Sequence, residues 1–157
     1  MTQEEFEERI LAMQDKMYRV STTILRRMCD REDAVQSAIL KAWRHQGKLH
    51  NENAMQAWVM RILINECYAL LRKQQKEIPS DTLPERETAE DARPDIYRLF
   101  TGIDEKYRLV MMLHYVEGYQ IKEIARMLRL PQGTVKSRLH RGRIILRETV
   151  ALEDEII

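Results

Sequence analysis

Residues 77–95, EIPSDTLPERETAEDARPD, interrupt an otherwise helical chain. They hold three of its four prolines (Pro79, Pro84 and Pro94), seven acidic side chains and two basic ones. Proline removes backbone donors and like charges repel, so neither helix nor strand is favoured there. The segment reads as a flexible acidic linker, with residues 1–76 before it and 96–157 after it. Each piece is small but long enough to fold as a helical module. Strand signals are nearly absent on either side: few β-branched runs, no Asn-Gly or Asp-Gly turn, little alternation. The expected fold class is all-α, two small helical domains joined by the linker.

Several function classes fall away at once. Cys29 and Cys67 lie far apart with no Cys-x-x-Cys and no histidine partner, which predicts reduced thiols and no metal site. His45, His50, His114 and His140 share no ligand spacing with Cys, Asp or Glu, and no Gly-rich phosphate loop occurs. An enzyme, a cofactor and a small-molecule substrate are therefore not expected. The opening MTQEEFEER is acidic and no apolar run is long enough for a bilayer, so a soluble cytoplasmic protein is expected.

In DREDAVQSAILKAWRH, Asp30 suits an N-cap, with Glu32 and Asp33 in the first turn where the helix dipole favours acids. Val35, Ile39, Ala42 and Trp43 recur at helical spacing and are expected to face a core. Asp33, Gln36 and Leu40, at i, i+3 and i+7, form a second row. By pattern alone it reads as a solvated face with one exposed leucine.

A longer helix is predicted over Met55 to Lys76, burying Met55, Trp58, Val59, Ile62, Leu63 and Leu70. Its other face carries Arg61, Asn65, Tyr68 and Arg72, with Lys73 alongside. Arginine pairs with phosphate and a tyrosine ring stacks on an unpaired base, so this face suits a nucleic-acid strand. A polar face meeting water is the competing reading. Between the two helices, QGKLHNENA (Gln46–Ala54) is a polar loop, either an idle connection or a reader of bases.

After the linker, Ile96 to Val116 reads as one or two helices with Leu99, Phe100, Leu109, Val110 and Leu113 in the core, ended by Gly118. Ile121, Ile124, Ala125 and Leu128 then mark the buried side of a short helix. Leu130 and Pro131 interrupt it, Thr134 is a fair N-cap for the next, and Val135 and Leu139 face back. Small Ala125 suits a close helix crossing. This is a helix-turn-helix pattern, whose second helix belongs in the major groove.

Charge agrees with that placement. The chain has 26 basic and 25 acidic residues, a net charge of +1. Yet from Arg129 to Arg147 it carries Arg129, Lys136, Arg138, Arg141, Arg143 and Arg147 and no acid at all. The acidic linker and tail hide a concentrated basic patch in the total. A merely solvated helix would leave this repulsion unrelieved, because acidic partners at i±4 are almost absent. Thr134, Lys136, Ser137, Arg138, His140, Arg141, Arg143 and Arg147 are the candidate DNA contacts.

Three segments carry a family resemblance. REDAVQSAILKAWRH resembles the core-binding helix of bacterial sigma-70 family sigma factors of the extracytoplasmic-function group, with its Asp-x-x-Gln, aliphatic and tryptophan. AWVMRILINECYALLRK resembles that family's promoter-melting helix. EKYRLVMMLHYVEGYQIKEIARMLRLPQGTVKSRLHRGRIILRE resembles its second domain almost throughout, Gly-Thr-Val-Lys-Ser-Arg-Leu being the most specific run. The resemblance implies that Asp33, Gln36 and Leu40 contact the clamp helices of the polymerase beta-prime subunit. It implies that Arg61, Asn65, Tyr68, Arg72 and Lys73 hold the opened −10 strand, and that the second helix of the C-terminal domain reads the −35 element. Core RNA polymerase, through its beta-prime and beta subunits, promoter DNA and an anti-sigma factor are the implied partners. Departures are local: Arg129 stands where the family often has glycine, Ile103-Asp104 replaces Leu-Pro, and Gly142 replaces a common alanine. The Gln46–Ala54 loop aligns poorly, so no promoter sequence is read from it. An autonomous helix-turn-helix regulator, its N-terminal module serving a ligand or a dimer, is the alternative.

Overall fold

The computed structural model describes residues 1–77, 99–100 and 102–156. The chain divides into two compact units, Met1–Asp91 and Ala92–Ile157. Both are helical, with no strand among the described residues, which bears out an all-α chain of two helical domains. The acidic segment expected as a linker lies, beyond Glu77, outside the described residues.

The first unit packs three helices, α1 (Gln3–Ser21), α2 (Met28–Arg44) and α3 (Met55–Glu77), with short 3₁₀ turns at Gln46–Lys48 and Glu52–Ala54. Helix α1 is a finding that the sequence reading lacked. Its signal was present: Thr2 and Glu5 close a capping box, through Glu5 N to Thr2 Oγ1 at 3.2 Å and Thr2 N to Glu5 Oε2 at 2.8 Å. Phe6, Ile10, Met13, Met17 and Val20 then recur at helical spacing and are all buried.

The bend into α2 is held by Arg31, only 5% exposed. Its Nε donates to Leu25 O at 2.9 Å and its Nη2 to Arg26 O at 2.7 Å. Two carbonyls of the turn ahead of α2 thus gain a charged donor. Helix α2 starts earlier than expected. Its N-cap is Arg27, not Asp30, and Asp30 sits in the first turn with its carboxylate 3.5 Å from Arg27 Nε. That position gains from the helix dipole without serving as the cap.

Ala34, Val35, Ala38 and Ala42 make the buried stripe of α2, while Ile39 and Trp43 stay half-buried. Small residues there let α3 approach closely. Helix α3 buries Met55, Val59, Met60, Leu63, Ile64 and Cys67. Trp58, Ile62 and Leu70, expected in the core, are half-buried at its edges. A Lys41–Glu66 ion pair joins α2 to α3. The polar loop is pinned at Glu52, whose backbone oxygen accepts from Arg9 Nη1 at 3.4 Å.

In the second unit, α4 (Glu105–Met111) widens into a π-helical turn over Met112–Val116, and Gly118 ends it at φ 77. Leu109, Val110 and Leu113 are buried, and so is Phe100 in the preceding turn. Leu99, expected in the core, is 44% exposed. Ile96 lies outside the described residues. Helix α5 (Ile121–Leu128) and helix α6 (Gln132–Ile156) complete the unit.

The α5–α6 connection is a helix-turn-helix. Ile124, Ala125 and Met127 of α5 and Val135 and Leu139 of α6 are buried. Arg129 adopts the left-handed conformation, φ 55 and ψ 46, and Leu130 N bonds back to Ala125 O at 3.0 Å. That closes the α5 carbonyls in the manner of a Schellman cap. A non-glycine residue there costs about 1–2 kcal/mol. Thr134 is not the N-cap of α6. The helix already begins at Gln132, and Thr134 N and Val135 N both bond to Pro131 O, at 3.0 and 3.2 Å. Proline has no N–H to lose at a helix start, so it suits that end.

Candidate polymerase and nucleic-acid interfaces

On α2, Asp33, Gln36 and Leu40 are all exposed, and Leu40 keeps 55% of its surface in solvent. At about 100° per residue the three fall within a sector of roughly 60°, so they form one row facing away from the Ala34–Ala42 stripe. A shallow apolar groove adjoins this helix, lined by Phe6, Ile10, Leu11, Ile39 and Trp43. Phe6 and Trp43 meet edge to face, 5.8 Å between centroids, and Leu11 is 63% exposed. Sequence spacing sent Ile39 and Trp43 to the core. They line this open groove because the small alanines took the buried positions.

On α3, Asn65, Arg72 and Lys73 are exposed and Arg61 and Tyr68 half-buried. Arg61, Asn65, Tyr68 and Arg72 again share a sector of roughly 60°, opposite the Val59–Leu63–Cys67 core. Lys73 is set apart from them. It lines a second groove, between α2 and α3, with Asp33, Ser37, Glu66 and Leu70. Two residues expected to serve different partners thus border one cleft.

Helix α6 carries the basic surface. Lys136, Ser137, His140, Arg141 and Arg147 are exposed, while Thr134, Arg138 and Arg143 are half-buried. With Val135 and Leu139 turned inward, Lys136, His140, Arg143 and Arg147 (i, i+4, i+7, i+11) form one row. Ser137 and Arg141 form a second beside it. The row spans about 16 Å at 1.5 Å per residue, enough to follow a groove wall. Ser137 Oγ donates to Gly133 O at 2.9 Å, so its hydroxyl proton is engaged within the helix. Arg143 is steadied from the π-helical turn after α4: its Nη1 donates to Tyr115 Oη at 2.7 Å. Tyr115 in turn packs edge to face on His114, 4.9 Å away, whose Nδ1 lies 2.8 Å from Tyr119 O. Tyr115 was absent from the sequence-based site. Only the fold brings it to α6, so spacing carried no signal for it.

Family models agree with this layout. The model described as Sigma-70 region 2 matches residues 10–77, and the one described as Sigma-70, region 4 matches residues 94–146. The chain belongs to the sigma-70 family. It is a sigma factor of the extracytoplasmic-function type, similar to the ECF RNA polymerase sigma factor SigW of Bacillus subtilis. The two are 26% identical over 166 residues, 93% of this chain and 89% of the relative. The RNA polymerase sigma-E factor of Streptomyces coelicolor is 28% identical and is matched over 96% of this chain and 88% of its own length. The fold matches the sigma factor RpoE, solved in complex with the anti-sigma factor NepR from Bartonella quintana. That likeness has a TM-score of 0.77 at 24% identity, covering 94% of this chain and 97% of that one.

An RNA polymerase sigma factor is thus the function, and an autonomous regulator is not favoured. The region 2 match accounts for the N-terminal unit, which that alternative would have given to a ligand or a dimer. No helix among the described residues is long and apolar enough to cross a membrane.

Proposed function

We propose that this sigma factor divides its work between residues 1–76 and residues 96–157, and that no bond chemistry occurs in the chain itself. Asp33, Gln36 and Leu40 contact the beta-prime clamp helices of core polymerase, and the same subunit assembly reaches its beta subunit. The Arg61, Asn65, Tyr68, Arg72 and Lys73 surface holds the opened −10 strand. Arginine and lysine neutralise phosphates there, while the tyrosine ring offers a stacking face to an unpaired base. Helix α6 enters the major groove of the −35 element. Its N-terminal half, Lys136, Ser137 and Arg138, lies nearest the base edges, His140 and Arg141 follow, and Arg143 and Arg147 meet phosphates. Polymerase supplies catalysis, and this chain supplies position and traps unstacked bases. It works in the cytoplasm and is held in check by an anti-sigma factor, as the RpoE relative is found bound to one.

The observation carrying this reading is the acid-free, basic stretch of α6 from Lys136 to Arg147, whose buried side is Val135 and Leu139. Dependence on polymerase tests it. Purified chain is expected to co-elute with core polymerase, and tight promoter binding is expected only in the joint fraction. Promoter-specific binding of equal strength without core would overturn the division of labour.

A further inference from the structure

Among the described residues, Arg129 is the one non-glycine residue with positive φ. Glycine adopts that conformation at no steric cost, so the turn itself does not ask for an arginine. Its side chain is exposed and makes no ion pair or hydrogen bond with the described residues. Two more cations precede it on α5, Lys122 and Arg126, both exposed and equally unpaired. Lys122 and Arg126 lie at i and i+4 on one helix face, and Arg129 falls where the next turn would bring that face round. The opposite side, Ile124, Ala125 and Met127, is buried. The intervening acid does not neutralise the row: Glu123 turns back to Gln120 N, 3.5 Å from its Oε1.

We propose that Lys122, Arg126 and Arg129 form a second phosphate-binding row, separate from α6, with Arg129 as its anchor. The inference rests on α6 entering the groove. In that docking the first helix of a helix-turn-helix crosses the DNA backbone, which sets these three cations against one strand's phosphates while α6 reads the groove. A strained backbone at an exposed, unpaired cation is then explained: the left-handed turn aims a guanidinium that would otherwise follow the helix. Phosphate contacts carry register and affinity, not sequence.

The test uses the full chain and a short duplex of arbitrary sequence, because phosphate contacts do not depend on sequence. Arg129→Gly removes the charge and the strain together, so two readouts move in opposite directions. Its thermal midpoint is expected to hold or rise. DNA affinity is expected to fall and the salt slope to shallow by about 0.9 per lost contact, so that the deficit narrows roughly 3- to 4-fold between 50 and 200 mM salt. Arg129→Lys should retain most of the slope, and Arg129→Asn, whose residue tolerates the left-handed conformation, should lose it as glycine does. Unchanged affinity and slope in Arg129→Gly would overturn the proposal. So would an equal loss in Arg129→Lys, since the turn and not the charge would then set binding. If Lys136→Ala and Arg147→Ala also leave binding unaltered, the groove reading of α6 fails, and this inference fails with it.

Discussion

Arg143 of α6 donates a 2.7 Å hydrogen bond to the hydroxyl of Tyr115, a residue 28 positions earlier in the chain. A long cation on the row proposed to meet DNA is thereby held in one orientation. Tyr115→Phe keeps every charge and removes only that restraint. A hydrogen bond of this kind contributes about 0.5–1.5 kcal/mol, so DNA affinity should drop roughly 2- to 10-fold at an unchanged salt slope. Arg143→Ala, by contrast, should shallow the slope by about one unit. Titration of both variants at several salt concentrations checks this, and a shallower slope in Tyr115→Phe would contradict it.

Base reading and phosphate binding should separate along α6. Arg147→Ala is expected to weaken all sequences alike and shallow the salt slope by roughly one unit. Arg138→Ala is expected to cost about 1–3 kcal/mol at its preferred base pair and to relax specificity there. Binding to promoter variants across a salt series measures both. Equal, sequence-independent losses at the two positions would reduce the helix to electrostatic attraction.

Gly142 meets α4 where an ideal Cβ would fall on the Met111 side chain. Met111 is only 1% exposed, so it has little room to yield. Gly142→Ala gains about 1 kcal/mol of helix propensity, but overpacking a filled core costs about 1–3 kcal/mol. A net loss of roughly 1 kcal/mol is expected. In a Met111→Ala background the same change should become stabilising. A double-mutant cycle by chemical denaturation reads the sign.

The exposed row of α2 should act in binding and not in folding. Asp33→Ala with Gln36→Ala is expected to leave helix content unchanged, because neither side chain enters the core. Affinity for core polymerase should fall by about 1–2 kcal/mol, the scale of interface residues that matter. Affinity unchanged within error would mark the row as a plain solvated face.

Much of this was legible because helical period and turn chemistry are local. The α5–α6 pair followed from Ile124, Ala125, Val135 and Leu139, and the α3 surface from the spacing of Arg61, Asn65 and Arg72. Helix α1 is equally legible through Thr2, Glu5 and its apolar spacing. Boundaries were harder. Asp30 and Thr134 are good caps by residue type, yet α2 and α6 each begin earlier, where the backbone bonds actually start. Trp43 and Leu99 show a different limit. Periodicity gives a face but not how much surface the neighbouring helices cover. The Arg31 clamp, the Tyr115–Arg143 bond and the shared edge of Asp33 and Lys73 depend on tertiary approach, which no window of sequence records.

The central claim is that this chain confers promoter choice on core polymerase. Reconstituted run-off transcription from a genomic promoter library tests it most directly. Core alone should give no discrete products, and core with this chain should give defined transcripts whose start sites share paired −35 and −10 elements. Silence across the library, with folded protein and active core, would contradict the account.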